Sequence, residues 1–338
     1  MERSRRWTGM LLGLVVLSST ACTGANSSGD VVRVYSGRHY GEEETFQRFF
    51  EETGIQVEFL FGSDAELRER IEAEGENTQA DVYMTVDAGN LYLAAEEGVF
   101  QPLESGILED SIPQSLRDPE NRWFGLGVRS RTIVYNPERV QPSELSTYEA
   151  LTDPKWKGRL CMRDSSNVYT QSMVASLVSH HGYEGAVGIL KGWVANETEI
   201  LGSDVLVLET IAEGGCDVGL TNHYYLAREL EDDEDFGVDL FWANQGDRGV
   251  HVNVSGAGVT QNADNPELAR RLLEWLATDG QDDFVRSNHE YPANPGVEPD
   301  ALVLEHFGND FKRDQLGAAD YGSLNAQAIR AMDEAGYE

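Results

Sequence analysis

Three tyrosines stand at matching distances from the two cysteines in the interior of the chain. Tyr169 lies eight residues after Cys161, and Tyr224 lies eight residues after Cys216, with Tyr225 beside it. Each cysteine belongs to a short, apolar, strand-like segment. If the two cysteines form a disulfide, their Cα atoms lie within about 6 Å of each other. The loops that follow the two strands then emerge together and bring three phenols to one place.

Three phenols at one place predict a site for a hard trivalent cation. A tyrosine has a pKa of about 10, so it is a poor anion near neutral pH unless a strong positive charge drives off its proton. Fe(III) supplies that charge, and three phenolates neutralise it. Zinc and copper more usually recruit cysteine or several histidines, whereas calcium and magnesium recruit clustered carboxylates and carbonyls. For each tyrosine taken alone, a role in packing remains the alternative.

A further pair of candidate ligands follows the first strand-like segment, Val31–Tyr35. His39 and Tyr40 come shortly after its end and offer an imidazole nitrogen and another phenol. A neutral imidazole adds a ligand without adding charge. The sequence therefore offers five side chains of the right chemistry in three separate segments.

The segments that must position these side chains alternate between strand-like and helix-like patterns. Strands are predicted over Val31–Tyr35, Ile55–Phe61, Ala80–Thr85, Val128–Tyr135, Arg159–Met162, Cys216–Leu220 and His251–Val259. Helices are predicted over Glu42–Glu52, Asp64–Glu74, Asn90–Glu97, Thr170–His180, Val205–Glu213 and Pro266–Ala277, with Asp64 as the cap of the second. The acidic run Glu229–Asp235 is predicted to be a solvated loop.

This alternation predicts an α/β protein with parallel sheets and helices on both faces. Two such series in a chain of 338 residues predict two lobes. In open α/β sheets, ligands bind beyond the carboxyl ends of the strands. Two facing lobes would therefore place these loops on either side of one cleft.

The first 21 residues are typical of an export signal. Three arginines within the first six residues precede the apolar run Met10–Leu17, which is too short to cross a bilayer. The small residues before Cys22 resemble a bacterial lipoprotein signal, in which that cysteine is lipidated, although Ser19 stands where leucine is usual. Ordinary cleavage, with Cys22 incidental, is the alternative. Residues 22–30 then predict a flexible tether.

Composition restricts the partners, the compartment and the class of protein. A formal net charge of -33 disfavours binding to nucleic acid or to an anionic membrane. A solvated acidic surface adapted to salt explains this charge as well as attraction of cations does. Export to an oxidising compartment favours a disulfide between Cys161 and Cys216, with two buried free thiols as the alternative. The sequence lacks a Gly-x-Ser-x-Gly elbow, a His-Glu-x-x-His motif and a phosphate-binding loop, which argues against an enzyme.

A set of motifs in a fixed order carries a family resemblance. They are Tyr35-Ser36-Gly37-Arg38-His39-Tyr40, Ala80-Asp81-Val82 with Asp87-Ala88-Gly89, Trp123-Phe124-Gly125-Leu126, Asp153-Pro154-Lys155-Trp156-Lys157-Gly158-Arg159, Asn167-Val168-Tyr169, Asn222-His223-Tyr224-Tyr225 and Asn253-Val254-Ser255-Gly256-Ala257-Gly258-Val259. From about Val31 to the C-terminus, the chain resembles the ferric-iron-binding periplasmic proteins of bacterial iron ABC importers.

The resemblance implies a two-lobed periplasmic binding fold with hinge strands and a ligand cleft between the lobes. Residues 31–128 plus about 252–298 would form the N-terminal lobe, and residues 129–251 plus about 299–338 the C-terminal lobe. The implied ligands of Fe(III) come from both lobes: His39 and Tyr40 from the first, and Tyr169, Tyr224 and Tyr225 from the second. Fe(II) is the alternative cargo.

The resemblance also implies an arginine beside the metal, which pairs with a synergistic anion such as carbonate or donates a hydrogen bond to a tyrosinate. Arg129 is the candidate and Arg131 the alternate, while Arg38 could serve the same electrostatic role. An ordinary salt bridge is the alternative for each. The resemblance also implies a disulfide between Cys161 and Cys216, because one branch of this family has such a disulfide.

The implied function is capture of iron by a monomeric, exported protein, lipid-anchored at Cys22, that delivers it to a permease and ATPase complex. The expected location is the periplasm or the outer face of a bacterial membrane. The rival function keeps the same fold but binds an organic cation or a small anion, on which the aromatic side chains would stack.

Overall fold

The computed structural model describes residues 30–39 and 42–338, leaving aside the side chains of Glu42, Glu43, Glu44, Ala318 and Ala319. The expected signal segment, Cys22 and Tyr40 lie outside the described residues. Within the described ranges, no helix combines the length and the apolar character needed to cross a bilayer.

The first series of elements alternates strands with helices, as the sequence predicts. It consists of β1 (Val31–Ser36), α1 (Glu42–Thr53), β2 (Gln56–Phe61), α2 (Asp64–Glu74), β3 (Val82–Thr85), α3 (Ala88–Glu96) and α4 (Gly106–Ser111). The strand β1 pairs in parallel with β2 and with β3. The cap of α2 is Ser63 rather than Asp64, because the Ser63 hydroxyl accepts the backbone N–H of Glu66. Asp64 is instead the first helical residue.

The second series builds a second group of paired strands. It consists of β4 (Phe124–Tyr135), β5 (Leu160–Arg163), α5 (Val168–Ala195), β6 (Glu199–Leu201), α6 (Asp204–Ala212), β7 (Val218–Asn222), α7 (His223–Asp232) and β8 (Asp239–Phe241). The strand β5 pairs in parallel with β6 and with β7. The remaining elements are β9 (Val252–Val259), α8 (Pro266–Leu276), α9 (Gln281–Arg286), β10 (Tyr291–Pro292), α10 (Ala301–Phe307) and α11 (Ala318–Ala335).

The long strand β4 belongs to both groups of strands. Its first part, as far as Ser130, pairs with β9, while its second part, from Arg131, pairs with β7 and β8. The strand order is β2-β1-β3-β9-β4-β7-β5-β6, with β8 and β10 also on β4. Because β9 runs antiparallel to both β3 and β4, the sheets are mixed rather than wholly parallel.

Two predicted boundaries differ from the structure in ways that matter for the site. The strand β7 begins at Val218 and ends at Asn222, so Tyr224 and Tyr225 lie in the first turn of α7 rather than in a loop. The helix α7 continues to Asp232 and takes in four of the seven residues of the acidic run that was expected to be a loop. Since α7 is amphipathic, its solvent face accepts these acidic side chains without breaking the helix.

The disulfide between Cys161 and Cys216 is confirmed, with a distance of 6.0 Å between the two Cα atoms. Cys161 lies in β5, and Cys216 comes two residues before β7, which is the parallel neighbour of β5. The cross-link therefore fixes the starts of two adjacent strands whose carboxyl ends lead into α5 and α7.

A buried histidine next to the start of β9 gives the fold a dependence on pH. Burial, together with the nearby positive charges of Arg131, Arg248 and His180, lowers the pKa of His251 to about 3. Its ring lies edge-on to the ring of Tyr321, with 5.0 Å between the centroids. In the unfolded chain the pKa of a histidine is about 6.5. Below that pH the unfolded chain takes up a proton that the folded chain excludes, so the unfolding free energy falls.

We therefore expect the unfolding free energy to drop by about 2 kcal/mol from this group between about pH 7 and about pH 5. Urea denaturation at the two pH values measures the drop. The variant His251→Phe keeps the ring packing on Tyr321 but cannot titrate, so its loss over this range should be smaller by that amount. An identical loss in wild type and variant would contradict the assignment.

Candidate metal centre

The starts of two neighbouring helices present the tyrosines. Tyr169 is the second residue of α5, and Tyr224 and Tyr225 are the second and third residues of α7. The side chain of Asn167 caps α5 by accepting the backbone N–H groups of Tyr169 and Thr170, at 3.0 Å and 3.3 Å. The N-terminus of a helix carries a partial positive charge, which favours an anionic side chain in the first turn. All three tyrosines therefore lie in the first turn of a helix, at the end that attracts anions.

Two of the three phenols lie against one guanidinium group, that of Arg129, and the third lies beside the second of them. The Nη1 atom of Arg129 donates to the Tyr169 hydroxyl at 3.3 Å, and the guanidinium carbon lies 5.4 Å from the ring centroid of Tyr224. The rings of Tyr224 and Tyr225 lie 4.5 Å apart. Tyr224 is 1% exposed, Tyr169 is 9% exposed and Tyr225 is half-buried. The side-chain amide of Asn222 donates to the Tyr224 hydroxyl at 3.2 Å.

The residues expected from the other lobe are described only in part. His39 lies beyond the end of β1, is exposed, and places its ring 5.6 Å from the ring of Phe61 in an edge-on contact. Tyr40 lies outside the described residues. The described residues thus bring the three C-terminal tyrosines together, while the packing of His39 on Phe61 fixes its place at the carboxyl end of β2.

Two of the candidate arginines share one buried carboxylate. The Oε1 atom of Glu290 accepts from Arg38 at 2.9 Å and from Arg129 at 2.8 Å. Burial alone would raise the pKa of Glu290, but the charges of Arg129 and Arg38 and the hydrogen bonds from Asn288 and Ser255 outweigh it and lower that pKa to about 2. Glu290 is therefore ionised, and both guanidinium groups lie in buried ion pairs.

The third candidate, Arg131, belongs to a second shared ion pair. It donates to Asp204 at 2.6 Å and to the carbonyl of Leu220 at 2.9 Å. The other oxygen of Asp204 accepts from Arg163, a mostly buried residue that lies near the Tyr225 phenol. Asp204 and Arg163 therefore connect Arg131 to Tyr225.

Several residues of the site escaped the sequence predictions. Arg228 lies over the rings of both Tyr224 and Tyr225, at 5.3 Å and 5.6 Å from their centroids. Helical spacing could have revealed it, since residues three and four apart share one face of a helix. For Glu290, no local pattern exists, because it lies 161 residues from Arg129.

A buried histidine sets the position of α7. The backbone N–H of Ser130 in β4 donates to Nδ1 of His223 at 3.2 Å, and Nε2 lies 2.9 Å from the carbonyl of His289. A carbonyl can only accept, so Nε2 carries the hydrogen and the ring is neutral. Burial lowers the pKa of His223 to about 4, in keeping with this state. His223 thus packs α7 against β4 and is not a candidate metal ligand.

The side chains that this site offers as metal ligands are phenols rather than carboxylates or thiolates. Within residues 30–39 and 42–338, no group of three or more His, Cys, Asp or Glu side chains could hold a metal ion. The tyrosine cluster provides hard oxygen donors, and the guanidinium groups of Arg129 and Arg228 lie beside it. Such a set suits a hard, highly charged cation.

The family of the chain follows from a match to the model for bacterial extracellular solute-binding proteins, which covers residues 77–309. The chain belongs to this family. This solute-binding protein has the two-lobed fold, and the strand β4 pairs with strands of both groups. Family membership agrees with the resemblance that the sequence motifs carry.

Two relatives and one solved structure are similar to this chain over most of its length. Iron uptake protein A1 of Synechocystis sp. is 43% identical to this solute-binding protein over 316 residues, covering 91% of this chain and 87% of the relative. The Fe(3+)-binding periplasmic protein of Serratia marcescens is 26% identical over 320 residues and covers 92% of each chain. The solved structure of a Trichodesmium IdiA/FutA protein in complex with iron and citrate is 43% identical, with a TM-score of 0.87, covering 91% of this chain and all of that one.

Proposed function

We propose that this protein is the substrate-binding subunit of an iron ABC importer and captures ferric iron between its lobes. The observation that carries the proposal is the gathering of three tyrosines at two helix N-termini: Tyr169 and Tyr224 both contact Arg129, and the ring of Tyr225 lies against that of Tyr224. Three phenolates balance the charge of Fe(III). The names of the relatives, which describe iron uptake and Fe(3+) binding, support the same cargo. Since those relatives are binding proteins, we propose that this chain is not an enzyme.

The proposed ligand set spans the cleft. Tyr169, Tyr224 and Tyr225 are the ligands of the C-terminal lobe, and His39 and Tyr40 those of the N-terminal lobe. The chemistry of the donors supports this set, because the three phenolates of the C-terminal lobe balance Fe(III) and the neutral imidazole of His39 adds a ligand without adding charge. Fe(II) is a weaker fit for three phenolates, since one negative charge would remain uncompensated.

For Arg129, donation of a hydrogen bond to a tyrosinate fits better than pairing with a synergistic anion. Its guanidinium already bonds both Tyr169 and Glu290. Arg38 and Arg131 are likewise held by Glu290 and Asp204. An anion such as carbonate would have to share these guanidinium groups with the buried carboxylates of Glu290 and Asp204, which already supply the opposite charge. We propose that an anion, if it binds, approaches from the solvent side of the half-buried Tyr225.

Capture would work as a clamp. We propose that residues 31–128 plus about 252–298 form one lobe, and that residues 129–251 plus about 299–338 form the other. The change of pairing partners along β4 between Ser130 and Arg131 supports a boundary at this point. The phenol-bearing lobe binds Fe(III) first, and closure adds His39 and Tyr40, so the bound metal favours the closed state. Opening of the lobes, reduction to Fe(II) or protonation of the phenolates would then release it.

The proposed setting is the periplasm or the outer face of a bacterial membrane. A lipid at Cys22 would tether the protein, and a permease and ATPase complex would receive the iron. The family of extracellular solute-binding proteins supports export and a transport partner. The rival cargo, an organic cation or a small anion, is not favoured by the iron-related names of the relatives.

The test is a visible spectrum of the purified mature protein after addition of ferric citrate and removal of excess iron. We expect a broad tyrosinate-to-iron charge-transfer band and retention of about one iron per chain, because three phenols converge at one place. A colourless protein that retains no iron would contradict the ferric site and move the assignment to an organic or anionic solute.

A further inference from the structure

A single buried carboxylate, that of Glu290, joins groups from three separate parts of the chain. Glu290 lies in the short connection between α9 and β10 and is fully buried. Its Oε1 atom accepts from Arg38, which precedes His39, and from Arg129, which contacts Tyr169. One oxygen atom therefore links the loop that carries a proposed N-terminal ligand to a proposed C-terminal ligand.

The surroundings of Glu290 leave its carboxylate little freedom. Oε2 accepts the hydroxyl of Ser255 in β9 at 2.8 Å, and the side-chain amide of Asn288 donates to Oε1. Gly127 in β4 lies so close that any side chain at this position would overlap Oε2. A glycine at 127 is thus required by the carboxylate. Hydrogen bonds to both oxygens from four partners therefore fix the orientation of the carboxylate.

The partners of Glu290 are held equally firmly. Arg38 donates to the carbonyl of Phe284 at 2.6 Å and to the hydroxyl of Ser287 at 3.0 Å, and it stacks over the Phe284 ring at 4.0 Å. Asn288 also contacts Arg228, the residue that lies over Tyr224 and Tyr225. Two residues of one connection, Asn288 and Glu290, therefore contact three guanidinium groups around the site.

We propose that Glu290 is a positioning residue of the iron site. It orients Arg129 so that the guanidinium donates a hydrogen bond to the Tyr169 oxygen. It also holds Arg38, and with it the loop after β1 that carries His39. The inference rests on the proposed function. Glu290 acts through the two arginines and does not touch the metal. Residues that orient ligands in this way typically change metal affinity by about 10- to 100-fold when they are replaced.

The experiment compares Glu290→Gln with wild type and with Asp118→Asn. Glutamine keeps the size of the side chain but removes its charge, so Arg129 and Arg38 lose their shared anion. Asp118 is also buried and paired with an arginine, Arg122. None of the hydrogen bonds found for Asp118 involves a phenol of the site. We expect Glu290→Gln to bind Fe(III) about 10- to 100-fold more weakly and to show a displaced charge-transfer maximum. Asp118→Asn should show the wild-type maximum and affinity.

The position of the band separates positioning from general destabilisation, since a folded protein with an undisturbed phenolate keeps its maximum. An unmoved maximum and unchanged affinity in Glu290→Gln would overturn the inference and leave iron binding by the phenols intact. A displaced maximum in Asp118→Asn would overturn it as well. A wild-type protein without the band would remove the proposed function, and this inference with it.

A milder variant covers the case in which Glu290→Gln does not fold. Ser255→Ala removes only the hydrogen bond to Oε2 and leaves both ion pairs in place. Because the carboxylate can then rotate, we expect a smaller displacement of the maximum and a severalfold loss of affinity. Wild-type values for both quantities in Ser255→Ala, with Glu290→Gln unfolded, would overturn the inference.

Discussion

Replacing Tyr224 or Tyr225 with phenylalanine is expected to lower the affinity for Fe(III) by more than about 100-fold, beyond the range for residues that only orient a ligand. Each substitution removes one anionic oxygen ligand and, with it, part of the negative charge that attracts the metal. The contact between the two rings, 4.5 Å apart, survives because phenylalanine keeps the ring. Competition with citrate, followed at the charge-transfer band, measures the loss.

A tyrosine in the second part of α5, beyond the non-helical Gly182, is the matched control. Tyr183 lies in α5, and its hydroxyl donates to Glu334 at 3.1 Å on the surface of the protein. Tyr183→Phe should therefore bind iron with wild-type affinity and give the wild-type band. If Tyr224→Phe and Tyr225→Phe behaved like this control, the phenols would not be the ligands.

Removing the disulfide is expected to lower the unfolding free energy by about 4 kcal/mol without abolishing iron binding. Cys161 and Cys216 are separated by 55 positions, and a cross-link of that span removes much of the conformational freedom of the unfolded chain. Guanidinium denaturation of the oxidised wild type and of the double variant Cys161→Ala/Cys216→Ala gives the difference. The charge-transfer band should persist, because the parallel pairing of β5 with β7 still places the starts of α5 and α7 together.

Reduced wild-type protein provides the internal comparison for this prediction. In the presence of a strong reductant, wild type should unfold with the same free energy as the double variant. Equal stability of oxidised wild type and double variant would show that the disulfide does not stabilise the fold. Loss of the band in a folded double variant would show that the cross-link, rather than strand pairing, positions the helix starts.

The parts of the site that lie on one strand-to-helix unit could be predicted from the sequence. Tyr169 and Tyr224 follow their cysteines at equal offsets, and a strand followed by a helix is a local pattern. The exact start of α7 was missed because the apolar run from Cys216 to Leu220 does not reveal that pairing begins at Val218. Arg228 could have been predicted in the same way, since it follows Tyr225 at helical spacing.

The long-range ion pairs could not be predicted in this way. Glu290 meets Arg38 across 252 positions and Arg129 across 161. With 59 acidic residues in the chain, nothing local distinguishes this carboxylate from the others. The antiparallel direction of β9 was missed for a similar reason, because periodicity shows that a strand exists but not which neighbour it pairs with.

The alternation of side chains along β4 limits how the sequence of this protein can change in length. Arg129 and Arg131 lie on the same face of the strand, two residues apart, and one pairs with Glu290 while the other pairs with Asp204. A deletion or insertion of one residue beside Ser130 would turn one of the two guanidinium groups to the opposite face and leave a buried carboxylate without its partner. Insertions and deletions should therefore be tolerated in the surface connections of the chain but not in β4.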